Sequence, residues 1–467
     1  MVAINPLGQL IFSPIFGWLG NRFGSIRLIC LISCIAYVIG NVMYSCLSLF
    51  PHDPDEDVET RGRYRYIAMF LARLLVGISS ANQAPIRSYV ASATWKHERN
   101  MHISILSLFQ ALGFMIGPAI QSALVPVGCS HDYPTGEIQF DMYTISGWLS
   151  AGVGIISFIL FLPGIFSEHY ISKIEAERIK TNDNEKIELG RPDLFAVTSC
   201  AVSFFVFLFN FILLETIGTP LCMDQLGWDE GKSITNLGIL MSVGAVISMF
   251  AYASVAPLTR LMDERLVYIG LGLIPMLLGR IVMLPMGKDF PPLKPDEGGE
   301  GGDGDGDGLH LYYQMFTRTQ DSCQDESGTG GCDLEWCKTT PAITEVQFYL
   351  GYIISAISFP YCMAICQALF SKLIGPRPQG VWMGLFTSVG SLARICGPIF
   401  VSKIYQSYGT YWTFGLCILS LVISLVVSGL TYKRLIPIED RLLPRIEITD
   451  DQDQGTGDTD EGNYTSF

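Results

Sequence analysis

The spacing of apolar runs constrains this chain more than any other feature. Eleven windows long enough to cross a bilayer lie at 2–20, 27–49, 66–90, 103–127, 144–166, 194–216, 234–256, 266–287, 346–370, 381–402 and 410–432. A span of about 20 residues in lipid has no water to satisfy its backbone, so each window must bond its own peptide groups as a helix. Charged residues are only 16% of the 467, against about 25% in a soluble domain. These features read as an all-α polytopic membrane protein.

Charge in the connectors sets the orientation. Alternate connectors carry Arg22 and Arg27, Lys96 and Arg99, the run from Lys173 to Arg191, Arg260 and Arg265, Lys372 and Arg377, then Lys433 and Arg434. The intervening set is acidic: Asp53 to Asp57, the stretch 128–143 without Lys or Arg, Asp224 to Glu230, and the long segment 288–345. The basic set and the C-terminus are expected in the cytosol, the acidic set in the lumen. The net charge of −14 gathers in these loops and the tail. Without a basic stripe, nucleic acid is excluded as a partner.

Short motifs order the windows. Gly17-Trp-Leu-Gly20-Asn21-Arg22-Phe-Gly24-Ser25-Ile26-Arg27 forms a glycine-rich basic turn after the first. Arg73-x-x-x-Gly77 follows in the third, and Gly113-x-x-x-Gly117-Pro118 in the fourth. The last recurs loosely as Ser391-Leu-Ala-Arg394-Ile-Cys-Gly397-Pro398 in the tenth, and Ala256-Pro-Leu-Thr-Arg260 takes the matching loop position later in the chain. In this order the motifs resemble the major facilitator superfamily. That resemblance implies two pseudo-repeated bundles: 1–166, a cytoplasmic linker 167–193, a second bundle 194–432 containing the luminal loop 288–345, and a disordered tail 433–467. It makes the opening turn the family's second-to-third loop, so one helix of the family's twelve is expected to be absent before it, as in a shortened gene model or isoform. Asn21 stands where the family has aspartate, and Ser25-Ile26 where it has a basic pair. The charge missing at Asn21 is expected to weaken motif-based switching between states.

Longer stretches resemble one branch of that superfamily: Arg87-Ser-Tyr-Val-Ala-Ser-Ala-Thr94, Gln110 to Gln121, and Glu215-Thr-Ile-Gly-Thr-Pro-Leu-Cys-Met-Asp224. Membership in the branch implies a lysosomal or late endosomal membrane and an anion-handling role, with chloride conductance as the associated activity.

Charges inside spanning segments are costly and mark functional candidates. Arg73, Arg280 and Arg394 lie well inside their windows, and Glu215 is the deep carboxylate. A surplus of fixed positive charge in a water-lined cavity attracts anions. Arg73, Arg394, Glu215 and Arg280 are therefore the expected substrate pathway. Each has a plainer alternative: Arg73 bonding helix carbonyls, Arg280 packing on a peripheral helix, Glu215 pairing with an arginine or titrating as a coupling site. Arg87, beside Pro85 near a cytoplasmic end, reads as snorkelling to headgroups. No histidine lies deep in a window, which argues against a histidine proton relay.

Asp303-Gly-Asp305-Gly-Asp307-Gly308 imitates the start of a calcium loop, but Gln314 stands where the bidentate Glu belongs. It reads as flexible acidic linker, and no metal or cofactor is expected. Cys323, Cys332 and Cys337 face an oxidising lumen, so one disulfide among them is expected, with Cys129 or Cys222 as possible partner for the third. Tyr464-Thr-Ser-Phe467 fits a tyrosine-based signal for sorting adaptors. The leading expectation is a transporter or channel-like conductor of chloride or a small organic anion. The alternative is a non-transporting receptor or scaffold working through its luminal loop and tail. No nucleophile–base set or phosphate loop suggests an enzyme.

Overall fold

The computed structural model describes residues 4–49, 63–94, 99–124, 140–141, 144–169, 193–293, 330–375 and 379–436. Cys323, the calcium-like repeat, most of the linker, and Tyr464 and Phe467 in the tail lie outside the described residues. The helices are α1 (Ile4–Phe23), α2 (Arg27–Ser45), α3 (Arg63–Ser80), α4 (Gln83–Ser92), α5 (Arg99–Leu124), α6 (Thr144–Leu160), α7 (Leu194–Leu226), α8 (Glu230–Leu261), α9 (Glu264–Val267), α10 (Ile274–Val282), α11 (Glu345–Ile374) and α12 (Gly380–Thr431).

Within the described residues, each of the eleven apolar windows is mainly helical, with three refinements. The third is interrupted between α3 and α4, so α4 starts afresh with Pro85 in its first turn, where a missing N–H leaves no bond unmade. The eighth is assembled from α9, a π-helical turn Tyr268–Leu273, and α10. The last two run on as α12, broken only at Gly409, whose φ of +83° favours glycine. Seven of the described helices are long and apolar enough to cross a membrane by composition alone, and α1 is not among them. Its Gln9 and Ser13 lower its hydropathy, yet both turn inward and are buried.

α1 lies along α12, and α5 along α8; α2 packs on α3 and α6, while α7 and α11 pack on each other and on α12 and α8 respectively. Lipid is as apolar as a leucine side chain, so such contacts depend on close approach and polar bonds. At the α1–α12 crossing, a Cβ on Gly17 would fall on the backbone of Gly380, and one on Gly384 on the backbone of Ser13 and Pro14. The Gly380 amide donates to Asn21 Oδ1 (3.0 Å), Ser388 Oγ to the Leu10 carbonyl (2.8 Å), and Ser391 Oγ to Gln9 Oε1 (3.0 Å). The asparagine thus keeps a bond across the seam. It brings no negative charge to the positive end of the α12 dipole, where aspartate would.

The opposite flank of the same turn is tied to the connector after α6. Ser25 Oγ and the Arg27 amide both donate to Glu168 Oε1 (2.8 Å each), and Arg27 Nη2 donates to the Phe166 carbonyl (2.7 Å). Glu168 therefore supplies the missing acceptor at the start of α2. Between α7 and α12, a seam of hydroxyls runs Ser199–Thr431 (3.0 Å), Ser203–Ser428 (3.2 Å) and Ser424–Ser203 (3.1 Å), continued by Asn210 Nδ2 donating to Ser420 Oγ (3.0 Å).

At the acidic end, the close of the 288–345 segment, residues 330–345, is folded. Cys332 and Cys337 form a disulfide beside the short helix Glu335–Lys338. Trp336 from that helix lies against Gly409, where any Cβ would strike its ring, and 5.3 Å from the Tyr405 ring. Tyr405 Oη donates to Asp224 Oδ2 (2.9 Å), and Trp228 Nε1 to Glu345 Oε1 (3.0 Å).

Gly380→Ala should lower thermal stability in detergent by the ~1–3 kcal/mol of an overpacked contact. Gly20→Ala should leave it unchanged or raise it, because its added Cβ meets only side chains at 3.5 Å or more. Equal losses from both variants would contradict the backbone crossing.

Candidate functional site

The inward face of the α1–α12 seam borders a small, partly open cavity. Gln9 of α1 and Gln83 and Arg87 of α4 line one side; Phe204 and Leu208 of α7, Met363 of α11, and Thr387, Gly390, Ser391 and Arg394 of α12 line the other. The break before α4 puts Arg87 here. It is 6% exposed, and its Nη2 donates to Gln110 Oε1 of α5 (3.2 Å). This overturns its reading as a snorkelling residue: the guanidinium is turned into protein.

Arg394 is half-buried on the facing wall and makes no hydrogen bond to a described residue. Arg87 and Arg394 are close enough to act on one another electrostatically, and Glu215 of α7 lies within the field of Arg394. Two guanidinium groups thus face a common space with a carboxylate to one side. Thr387 is 4% exposed, and its Oγ1 has no partner among the described residues. Gly390 makes room for Phe204, whose ring stacks on Phe386 (4.0 Å between centroids), which in turn packs on Phe370 (4.3 Å). The cavity therefore joins a cationic half to an aromatic one.

The other expected pathway residues lie elsewhere. Arg73 is held between α2 and α3, its guanidinium 4.4 Å from the Tyr44 ring centre. Arg280 is 1% exposed and donates through Nη2 to the Asn210 carbonyl of α7 (2.7 Å), on α10 where that helix packs against α11 and α12. Neither lines the cavity. Among the fold motifs, a Cβ on Gly77 would fall on the Asn5 backbone of α1, and one on Gly397 would lie 3.4 Å from Ile212, with Pro398 buried beside it. Gly24 closes the first turn, its amide donating to the Gly20 carbonyl (3.0 Å), and Arg22 lies over Trp18. Gly113 and Gly117 differ: they are exposed, and a Cβ on either would meet open space. Among the described residues, this Gly-x-x-x-Gly meets no neighbouring helix. Cys222 is buried and unbonded to another cysteine.

Sequence reasoning passed over Gln9, Gln83, Thr387 and Ser391. The signal available was an amide or hydroxyl recurring on one side of an apolar helix, beside a proline-marked restart. Among the described residues, no group of three or more His, Cys, Asp or Glu could hold a metal ion.

Gln110→Leu strands a buried guanidinium and should cost the ~1.5–3 kcal/mol of a hydrogen bond to a charged group. Thr387→Val replaces an unpartnered hydroxyl by a methyl and should leave the unliganded melting temperature unchanged or higher. Thermal unfolding in detergent compares them, and the opposite order would refute the assignment.

The profile of the Major Facilitator Superfamily matches residues 1–290. Major facilitator superfamily domain-containing protein 8 of Xenopus laevis is 35% identical over 451 residues, covering 94% of this chain and 84% of that protein. In three dimensions the chain is similar to the human organic anion transporter MFSD10 (TETRAN), with a TM-score of 0.61 at 13% identity over 91% of this chain and 82% of that one. It is also similar to the proton:xylose symporter XylE of E. coli, with a TM-score of 0.61 at 12% identity over 93% and 85%. At such identities the structures speak for the fold alone.

Proposed function

The chain belongs to the Major Facilitator Superfamily, a family of membrane transporters, and on that premise we propose that it carries a small anion across a lysosomal or late endosomal membrane. The observation that carries this reading is the meeting of Arg87 and Arg394, from opposite sides of one cavity, with no carboxylate among the lining residues. Two like charges in a low-dielectric space repel, so the two guanidinium groups resist approaching one another. An anion between them turns repulsion into two attractions and draws α4 and α12 together. Release on the other face would follow when the α1–α12 and α5–α8 contacts loosen, as in alternating access. Glu215 is the balancing charge that competes for Arg394 when the anion leaves.

The endolysosomal location rests on the branch resemblance of Arg87 to Thr94 and Glu215 to Asp224 and on the tail's Tyr464–Phe467 signal for sorting adaptors. A cytosolic C-terminus follows from the basic connectors.

Arg87→Ala and Arg394→Ala should each cut anion flux roughly ten- to a hundredfold, the effect of losing one charge-assisted bond. Arg73→Ala, whose side chain stacks on Tyr44 away from the cavity, should keep flux within about twofold of the parent. Flux is read as current in voltage-clamped enlarged endolysosomes and as isotope uptake into proteoliposomes. Absence of anion flux from both assays, or flux indifferent to Arg394→Ala, would defeat the proposal.

A further inference from the structure

We infer that the anion taken by this cavity is a small monocarboxylate with a short apolar body, rather than a halide or a dianion. The inference deepens the anion-transport reading and rests on it. Three features of the site converge. The first is charge. Arg87 and Arg394 contribute two positive charges and Glu215, in the field of Arg394, one negative charge. The surplus is a single positive charge, which one monovalent anion neutralises. A dianion would leave the site negative in a low-dielectric space.

The second is donor geometry. A guanidinium offers a planar fork that fits the two oxygens of a carboxylate, whereas a spherical ion uses only its charge. Arg394 has its fork free of described partners, and Arg87 spends Nη2 on Gln110. Thr387 adds a hydroxyl that is 4% exposed and unpartnered, on the wall that carries Arg394. A buried polar group without a partner is uncommon and points to a ligand that supplies one. A carboxylate oxygen accepts from hydroxyl and guanidinium alike.

The third is the opposite wall. Phe204, Leu208 and Met363 line the same cavity. Phe204 is fixed by its stack on Phe386 and by the space left at Gly390, so this wall is preformed. A halide leaves it uncovered. An alkyl or aryl body attached to the carboxylate covers it and gains by burial. Three side chains make this a short wall, which suits a body of a few carbons.

The test uses the purified full chain in lipid nanodiscs. Dissociation constants are read from anion-dependent thermal stabilisation, with chloride, acetate, butyrate, succinate and sulfate as probes at constant ionic strength. Butyrate should bind about tenfold tighter than acetate, the effect of two more buried methylenes. Chloride, succinate and sulfate should each bind at least tenfold more weakly than butyrate. Glu215→Gln adds one positive charge to the balance and should narrow the gap between butyrate and succinate. Should that variant fail to fold, the series on the parent chain decides. Equal binding of acetate and butyrate, or tighter binding of chloride or sulfate, would overturn the monocarboxylate assignment while leaving an anion site. Stabilisation by none of the anions would overturn both readings.

Discussion

The arrangement depends on one backbone crossing. α1 and α12 approach so closely at Gly17, Gly380 and Gly384 that a single added carbon on any of them meets peptide atoms. In water such an approach would be one contribution beside hydrophobic burial. In a bilayer, moving apolar side chains from lipid to protein gains little, and the dispersion and polar bonds of close packing must hold the helices. Ser388, Ser391 and Asn21 add the polar bonds, each reaching from one helix to the other. The same crossing fixes the inward faces of α1 and α12, and so decides which side chains share a cavity.

That cavity concentrates unlike demands in a small space. Ser391 hydroxyl and Gln9 amide satisfy each other across the seam, which leaves the neighbouring charges of Arg87 and Arg394 to be met by something else. Arg280 shows the contrasting solution. It is 1% exposed, yet it bonds the Asn210 carbonyl and serves the packing of its own helix. Burial of an arginine therefore does not assign its role. The difference lies in whether the guanidinium faces a backbone acceptor or an open volume.

The turn between α1 and α2 links these parts to the rest of the chain. Asn21 bonds the start of α12 on one flank, while Ser25 and Arg27 take Glu168 from the connector after α6 on the other. Movement of α12 against α1 is thus mechanically continuous with the beginning of the linker. At the far end, Trp336 against Gly409 and Tyr405 braces the corner where α12 bends. α12 is held by different chemistry at its start and at its bend: a neutral hydrogen bond and backbone contact at the first, an aromatic wedge beside a disulfide at the second.

The helices were legible in the sequence because hydropathy is a local property: about twenty apolar residues in lipid can satisfy their peptide groups only as a helix. The turn motif, the charge alternation and the order of glycine-marked segments were equally local, and together they determined the superfamily. Even the break at Gly409 matches a dip between two windows. The site was only half legible. Arg394 and Glu215 could be picked out as costly charges, but so could Arg73 and Arg280, since the cost of a buried charge is the same wherever it points. Gly113 and Gly117 carried a packing motif that meets nothing among the described residues. Which arginines face one another, and that Arg87 is one of them, was decided by the tertiary structure. The restart of α4 and the crossing of α1 with α12 bring together residues from opposite parts of the chain, and no local pattern records the rotation of a helix about its axis.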